Sequence, residues 1–177
     1  MTEQPVPDQP APEQPIRDQP MPEEIQASAF FLADHAAVEN GKLYVNGGFW
    51  NQVGSPTYPA VRSFGVAAVL HIPWRQHHLD HSFAVTFEDA DGQVLPARFE
   101  GQFRVGTAPD MRMGDFTVMP LAAFVTNFVL DRPGDYAARL EVDGTERARW
   151  RFRAIVTADP VADTQAGPGS WPGPEVL

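Results

Sequence analysis

All five histidines of this chain fall between positions 35 and 81, and the densest group is His77, His78, Asp80 and His81. On a helix, His77 and His81 would share a face at i, i+4, a spacing that can hold a metal ion. Pro73 just upstream and a strand-like run at residues 82–88 leave little room for such a helix. His78 and Asp80 have the local spacing of an iron facial triad, which needs a third, distant histidine. None follows position 81. These residues predict a polar surface connector, dispensable for folding and without a stoichiometric metal. A metal-dependent or carbohydrate-directed domain using the His77–His81 loop is the alternative reading.

Other chemistries lack their residues. The chain has no GxSxG elbow, Walker loop, GxGxxG or HExxH. It has no cysteine, which removes disulfides, thiolate zinc sites and a cysteine nucleophile, and fits a reducing compartment. Asp89 and Asp91 sit before Gly92, where aspartate bonds its own turn; a calcium loop needs more oxygen ligands than this segment has. Glu88 and Glu100 have the chemistry of an acid/base pair, but nothing in the sequence places them together. The chain therefore reads as a non-enzyme, with no catalytic residue, cofactor or metal implied.

One surface feature remains. In RARWRFRA, Arg147, Arg149, Arg151 and Arg153 alternate with Trp150 and Phe152. On a strand this puts four guanidinium groups on one face and the aromatics toward a core. Such a ladder is a solvated face, partly neutralised by Glu141 and Asp135, that discourages edge-to-edge aggregation. Its functional counterpart is a weak partner-binding site for an acidic surface, the nearest being the chain's own leader with Glu3, Asp8, Glu13 and Asp18.

The elements that position these residues are strands. Between residues 25 and 157 the punctuation is Asn40-Gly41, Asp91-Gly92, Pro133-Gly134 and Asp143-Gly144, with β-branched and aromatic runs between. Asn40-Gly41 suits a two-residue type I′ turn, which requires positive φ twice. That turn pairs Glu39 with Lys42, Val38 with Leu43, Ala36 with Val45 and Leu32 with Phe49, leaving Asp34 opposite Gly47 as the one polar interruption. Further strands are predicted near residues 63–72, 82–88, 93–105, 119–130, 136–142 and 148–156. Pro120, Val125, Thr126 and Val129 favour a strand over a helix in the apolar stretch 116–130. In the last hairpin, a two-residue turn at Asp143-Gly144 would mix Arg147 and Arg149 with apolar Leu140 and Ala138. A three-residue turn with a glycine bulge instead pairs Leu140 with Ala148, Ala138 with Trp150, Tyr136 with Phe152, Glu141 with Arg147 and Asp135 with Arg153.

Charge separates the tails from this body. The formal net charge is −10; residues 1–24 contribute −5, residues 25–157 −2 and residues 158–177 −3. The acidic balance speaks against nucleic acid. The leader is a degenerate repeat (EQPVP, DQPAP, EQPIR, DQPMP) and the C-terminal stretch is rich in proline and glycine around an isolated Trp171. Both are expected to be disordered, because proline blocks regular structure and little is apolar enough to offset ordering entropy. No apolar run approaches the roughly 20 residues of a membrane span, and the N-terminus lacks a secretory pattern.

The segments NGKLYVNGGFWNQV, TYPAVRSFGVAAVL and DRPGDYAARLEVDG resemble those of a family of uncharacterised bacterial and bacteriophage β-sandwich domains, over roughly residues 27–157. The resemblance implies an immunoglobulin-like fold and brings no known activity. In its terms Tyr136 stands as a tyrosine corner, a phenol at a strand start bonding back to the chain.

The expected protein is all-β, an immunoglobulin-like antiparallel two-sheet β-sandwich of seven or eight strands (25–157) between disordered tails (1–24 and 158–177). Its expected role is a non-enzymatic binding or assembly module, phage-related or a bacterial structural or adaptor protein. The expected partner is another protein or a second copy, not nucleic acid or membrane. The location is cytoplasmic, or virion-associated if phage-encoded. Mild proteolysis is expected to trim both tails to a stable fragment close to residues 25–157. Mass spectrometry of the limit digest checks this, and tails that survive while an unstructured control is cleaved would refute it.

Overall fold

The computed structural model describes residues 23–158. The leader through residue 22 and the tail from residue 159, including Trp171, lie outside the described residues. Nine strands form: β1 (Gln26–Glu39), β2 (Lys42–Gly48), β3 (Gln52–Ser55), β4 (Ala60–Pro73), β5 (His81–Asp89), β6 (Val94–Phe103), β7 (Phe116–Leu130), β8 (Gly134–Val142) and β9 (Thr145–Val156). A single 3₁₀ turn, Trp74–Gln76, joins β4 toward β5. The first sheet has the order β2-β1-β4-β7 and the second β3-β9-β8-β5-β6.

Both sheets contribute to one core. Leu32, Val66, Leu70 and Ile72 of the first meet Val85, Phe87, Leu140 and Val142 of the second, all almost fully buried. Phe64 anchors the middle, with its ring edge-on to Trp50, Phe87 and Phe128 at 5.6, 5.8 and 5.2 Å between centroids. Such aromatic pairs each add about 0.5–1.5 kcal/mol beyond the area they bury.

The first hairpin has the expected register, with Glu39 facing Lys42, Val38 facing Leu43 and Ala36 facing Val45. Asn40 and Gly41 take φ of 50° and 72°, as a type I′ turn demands. The interrupting Asp34 is accommodated because Gly47 has no side chain where the Asp34 carboxylate lies. The stretch at 116–130 is one strand throughout.

Two departures from expectation have identifiable causes. The sheets are not wholly antiparallel, since β3 pairs in parallel with β9, Gln52 beside Arg153 through Ser55 beside Val156. Only four residues long and holding Gly54, β3 has too short a pattern to read. The last hairpin has the two-residue turn excluded above: Val142 faces Thr145, with Asp143 and Gly144 at φ of 51° and 74°. Its apolar pairs nevertheless stand as expected, Leu140 with Ala148, Ala138 with Trp150 and Tyr136 with Phe152. A register shift makes both possible. Glu141 faces Glu146, not Arg147, and Arg147 is the extra residue of a bulge between turn and ladder.

A close approach of two strands governs the shape of the first sheet. Strand β1 pairs with β4 as far as Ala33 opposite Gly65, and then its backbone passes over Gly65. A Cβ at Gly65 would lie 2.5 Å from the Ala36 backbone nitrogen and 2.9 Å from the His35 carbonyl carbon. The passage brings His35 to 5.7 Å from Phe124 of β7 and seals a second small cluster, Phe31, Ala36 and Ala67, on the side away from the main core. Because the obstructing atoms are backbone, Gly65→Ala should destabilise the fold by about 1–3 kcal/mol, the range of core overpacking. Urea denaturation measures this; an unchanged midpoint would mean that β1 can lift off β4 at no cost.

Candidate functional site

The two outer faces differ in chemistry. On the second sheet, register places Arg139 of β8 directly opposite Arg149 of β9, a like-charge pair that would be unfavourable alone. Three carboxylates neutralise them, and two of these, Glu146 and Glu88, bridge the pair. Glu146 accepts from Arg149 Nε at 2.9 Å and from Arg139 Nε at 2.8 Å, and Glu141 takes Arg139 Nη2 at 2.8 Å. Glu88, buried among the acids of this face, reaches Arg149 and lies 3.6 Å from Arg139 Nη1. The Arg149 hydrogen bond holds the Glu146 carboxyl below its ordinary value, while Glu146 and Glu88 raise the Arg149 guanidinium.

The expected four-arginine ladder is therefore divided. Arg153 is paired with Asp135 at 2.6 Å, which keeps the Asp135 carboxyl low. Arg149 is engaged as above, and Arg151 has no carboxylate partner among the described residues. Arg147, displaced by the bulge, turns to Glu24 at 2.6 Å, and its Nε is buried without a partner among the described residues. Glu141 neutralises Arg139 instead of Arg147. Sequence alternation missed this because one inserted residue breaks the period of two.

The histidine segment joins β4 to β5 with His78, Leu79 and Asp80 exposed, as a surface connector should, but two of its histidines are interior. His77 and His81 are 6% and 4% exposed. His77 contacts the Ile72 carbonyl at 3.3 Å and the hydroxyls of Thr107 and Thr117 at 3.2 Å. His81 donates from Nε2 to the Gln76 carbonyl at 2.9 Å and bonds through Nδ1 to Asp143 Oδ2 at 2.8 Å. Both ring nitrogens of His81 are thus engaged within the fold. Asp143 Oδ1 also accepts the Ser82 amide at 2.9 Å, so this carboxylate staples the β8–β9 turn to the start of β5. A histidine placed this way belongs to the folded interior, where the sequence reading expected a solvated side chain. Among the described residues no three His, Asp or Glu side chains gather as metal ligands. Glu88 and Glu100 lie apart on β5 and β6, Glu100 paired with Arg98 at 2.7 Å. Tyr136 Oη donates to the Arg132 carbonyl at 2.8 Å, as a phenol bonding back to the chain should. Asp89 Oδ1 accepts the Asp91 and Gln93 amides at 3.0 and 2.9 Å, the local turn bonding expected of it.

The outer face of the first sheet is the feature the sequence reading passed over. From Phe116 to Leu130, β7 has no charged residue, and it is the free edge of its sheet. Phe116, Val118 and Phe124 alternate onto the outer side and are 45%, 54% and 50% exposed. They continue the apolar rows of Ala67 with Ala122 and Val69 with Pro120 across β4. The signal was present as a fifteen-residue uncharged run. Strand pattern alone does not say which strand ends a sheet.

Burial pushes the Asp143 carboxyl up, but the His81 and Ser82 hydrogen bonds outweigh it and hold it below the ordinary value; Arg104 does the same for Asp80. A lowered carboxyl stabilises the fold above its unfolded pKa, and that contribution disappears as pH falls through the folded value. Stability should therefore drop once pH falls below the ordinary carboxylate range, and Asp143→Asn should flatten part of that slope. Urea midpoints against pH test this, and parallel slopes for the two proteins would exclude Asp143 as a contributor.

No curated protein matches the sequence. In structure the chain is similar to the Pseudomonas fluorescens alkylpurine DNA glycosylase AlkC bound to DNA containing an abasic site analog. That likeness has 9% identity and a TM-score of 0.44, and covers 74% of this chain and 30% of that one, too little to establish a common fold. The chain thus spans about 30% of the length of that protein. A family model does match, over residues 28–155, from the start of β1 to the end of β9. The chain belongs to that family, the family of unknown function DUF6941.

Proposed function

We propose that this protein is a non-enzymatic binding or assembly module, an immunoglobulin-like β-sandwich that docks another protein through the outer face and free edge of its first sheet. The observation that carries the reading is β7, a fifteen-residue edge strand without a charge whose aromatic and β-branched side chains stand half in solvent. Edge strands are ordinarily blunted by charge or brevity, and β7 has neither, its protection being confined to Pro120 and a bulge beside Asn127; large uncharged exposed faces mark contact surfaces. The reading keeps the bacterial or phage setting of the resemblance, with a cytoplasmic or virion-associated protein. No helix among the described residues is long and apolar enough to cross a membrane. The formal charge of −10 argues against nucleic acid as the partner.

A second reading keeps an acidic partner on Arg147, Arg149, Arg151 and Arg153, and one observation favours it. At the end of the leader, Glu24 already rests on Arg147 and Glu23 on Arg75 at 2.8 Å. The remaining arginines are less available, because Arg149 and Arg153 are held by local carboxylates. The metal or carbohydrate reading loses its ligands, since His77 and His81 are occupied by carbonyl, hydroxyl and carboxylate partners.

Two measurements test the proposal. Metal analysis and a thermal-shift panel of divalent cations and simple sugars on the full chain should give no stoichiometric metal and no stabilisation. In parallel, Val118→Lys and Phe124→Lys should each change stability by no more than about 0.5 kcal/mol, because exposed side chains kept for docking are not needed for folding. One bound metal per chain, a sugar-dependent rise in melting temperature, or severe destabilisation by either lysine would count against it.

A further inference from the structure

Among the described residues the two sheets have four edges, and three of them are short or carry charge. Strand β2 is seven residues long, begins at Lys42 and ends in Gly47-Gly48; β3 has only four residues. Strand β6 carries Pro96, Arg98 and Glu100. Strand β7 alone is both long and uncharged, and its flanking charges, Asp115 and Asp131, lie just beyond its ends.

We infer that β7 is the seam of a homodimer in which two copies of this chain pair edge to edge, antiparallel, through residues 116–125. This rests on the docking reading above and supplies its partner. The chain's own tails are poor occupants. The leader has seven prolines in its first 22 residues, each lacking the amide a ladder needs, and the longest proline-free run of the tail, residues 161–167, carries Asp163. A second copy brings a strand of matching length with no charge anywhere along it, so no antiparallel register places like charges opposite one another. Two-fold pairing also uses both long edges at once and closes, where one unpaired β7 would remain a template for open-ended association.

The local geometry limits the register. Pro120, opposite Val69 of β4, has no amide to give β4, so residues of its parity turn their backbone groups to the free edge. The shift opposite Arg62 to Phe64 and the positive φ of Asn127 (55°) end the regular ladder beyond Val125. A two-fold axis at Leu121 obeys both limits. It sets Val118 opposite Phe124 of the other copy, a β-branched–aromatic pair, and Pro120 opposite Ala122, where a single amide per copy is missing. The four-stranded first sheet becomes one continuous eight-stranded sheet, with Phe116, Val118 and Phe124 of both copies on the same outer face.

Sedimentation velocity on the full chain tests this. Monomer and dimer should interconvert with concentration across the micromolar range. Val118→Lys with Phe124→Lys should weaken dimerisation at least about tenfold, since paired strands would then face like charges. Val94→Lys, on the 58%-exposed edge residue of β6, should leave it unchanged. Because the chain has no cysteine, Val118→Cys with Phe124→Cys should crosslink into dimers under oxidation, while the two sites within one copy are six residues apart and cannot meet. A monomer at every concentration, or a dimer indifferent to the lysines, would overturn the homodimer. The binding reading is then judged separately by the metal and sugar panel, which does not depend on oligomeric state.

Discussion

Where β1 passes over β4, the Ala36 backbone nitrogen occupies the space that any side chain at position 65 would need. The absence of that one Cβ lets the β1–β2 hairpin curl across the first sheet instead of extending it flat. Ala33 and Ala67, on the side away from the core, become completely buried, and Phe31 nearly so. The same passage carries His35 over to Phe124 and stops there. The β1 side of the outer face is thereby sealed by the chain itself around Phe31, Ala36 and Ala67, and the β7 side is left exposed at Phe116, Val118 and Phe124.

The second sheet solves the opposite problem. Its outer face is crowded with arginines whose register would set Arg139 against Arg149, and it is held by carboxylates interleaved among them. Exposed ion pairs of this kind contribute at most about 1 kcal/mol each. Glu88 differs because it is buried, so removing both of its arginines would leave a charge without compensation. A face that satisfies its own charges offers little to a partner, whereas an uncharged edge leaves a row of backbone donors and acceptors open. That contrast, more than any single residue, directs the functional reading toward β7.

Fixed points at the sheet ends hold this arrangement in place. Asp143 joins the β8–β9 turn to the start of β5 through Ser82 and His81, and Tyr136 ties the start of β8 to the Arg132 carbonyl. Trp150 of β9 donates its indole N–H to the Trp50 carbonyl at 3.0 Å, closing the gap between the β2–β3 connection and the second sheet. Each uses a polar group to fix a backbone segment beside the core, so none is free for chemistry on a substrate.

Much of the fold was legible in the sequence because its signals are local. Asn40-Gly41 announces a turn needing two positive φ angles, alternation announces which side chains share a face, and together they set the first register residue by residue. The apolar pairs of the last hairpin were legible for the same reason. The candidate site was legible only in part: the arginines and histidines were visible, but their neighbours were not. Arg147 left the ladder because a bulge restored the apolar register after a two-residue turn, a trade between turn chemistry and core packing that neither reveals alone. His77 and His81 became interior because Thr107, Thr117 and Asp143, distant in sequence, joined the nearby Gln76 carbonyl in supplying their partners. The short parallel β3 and the exposed edge of β7 depend on which strands lie beside which. Sequence by itself determined the longer strands, the first turn and the apolar side of each of those strands, since these follow from backbone stereochemistry and a period of two. Only the tertiary structure decided where β1 crosses β4, which charges are already paired and which edge is left open, because those depend on contacts between segments far apart in the chain.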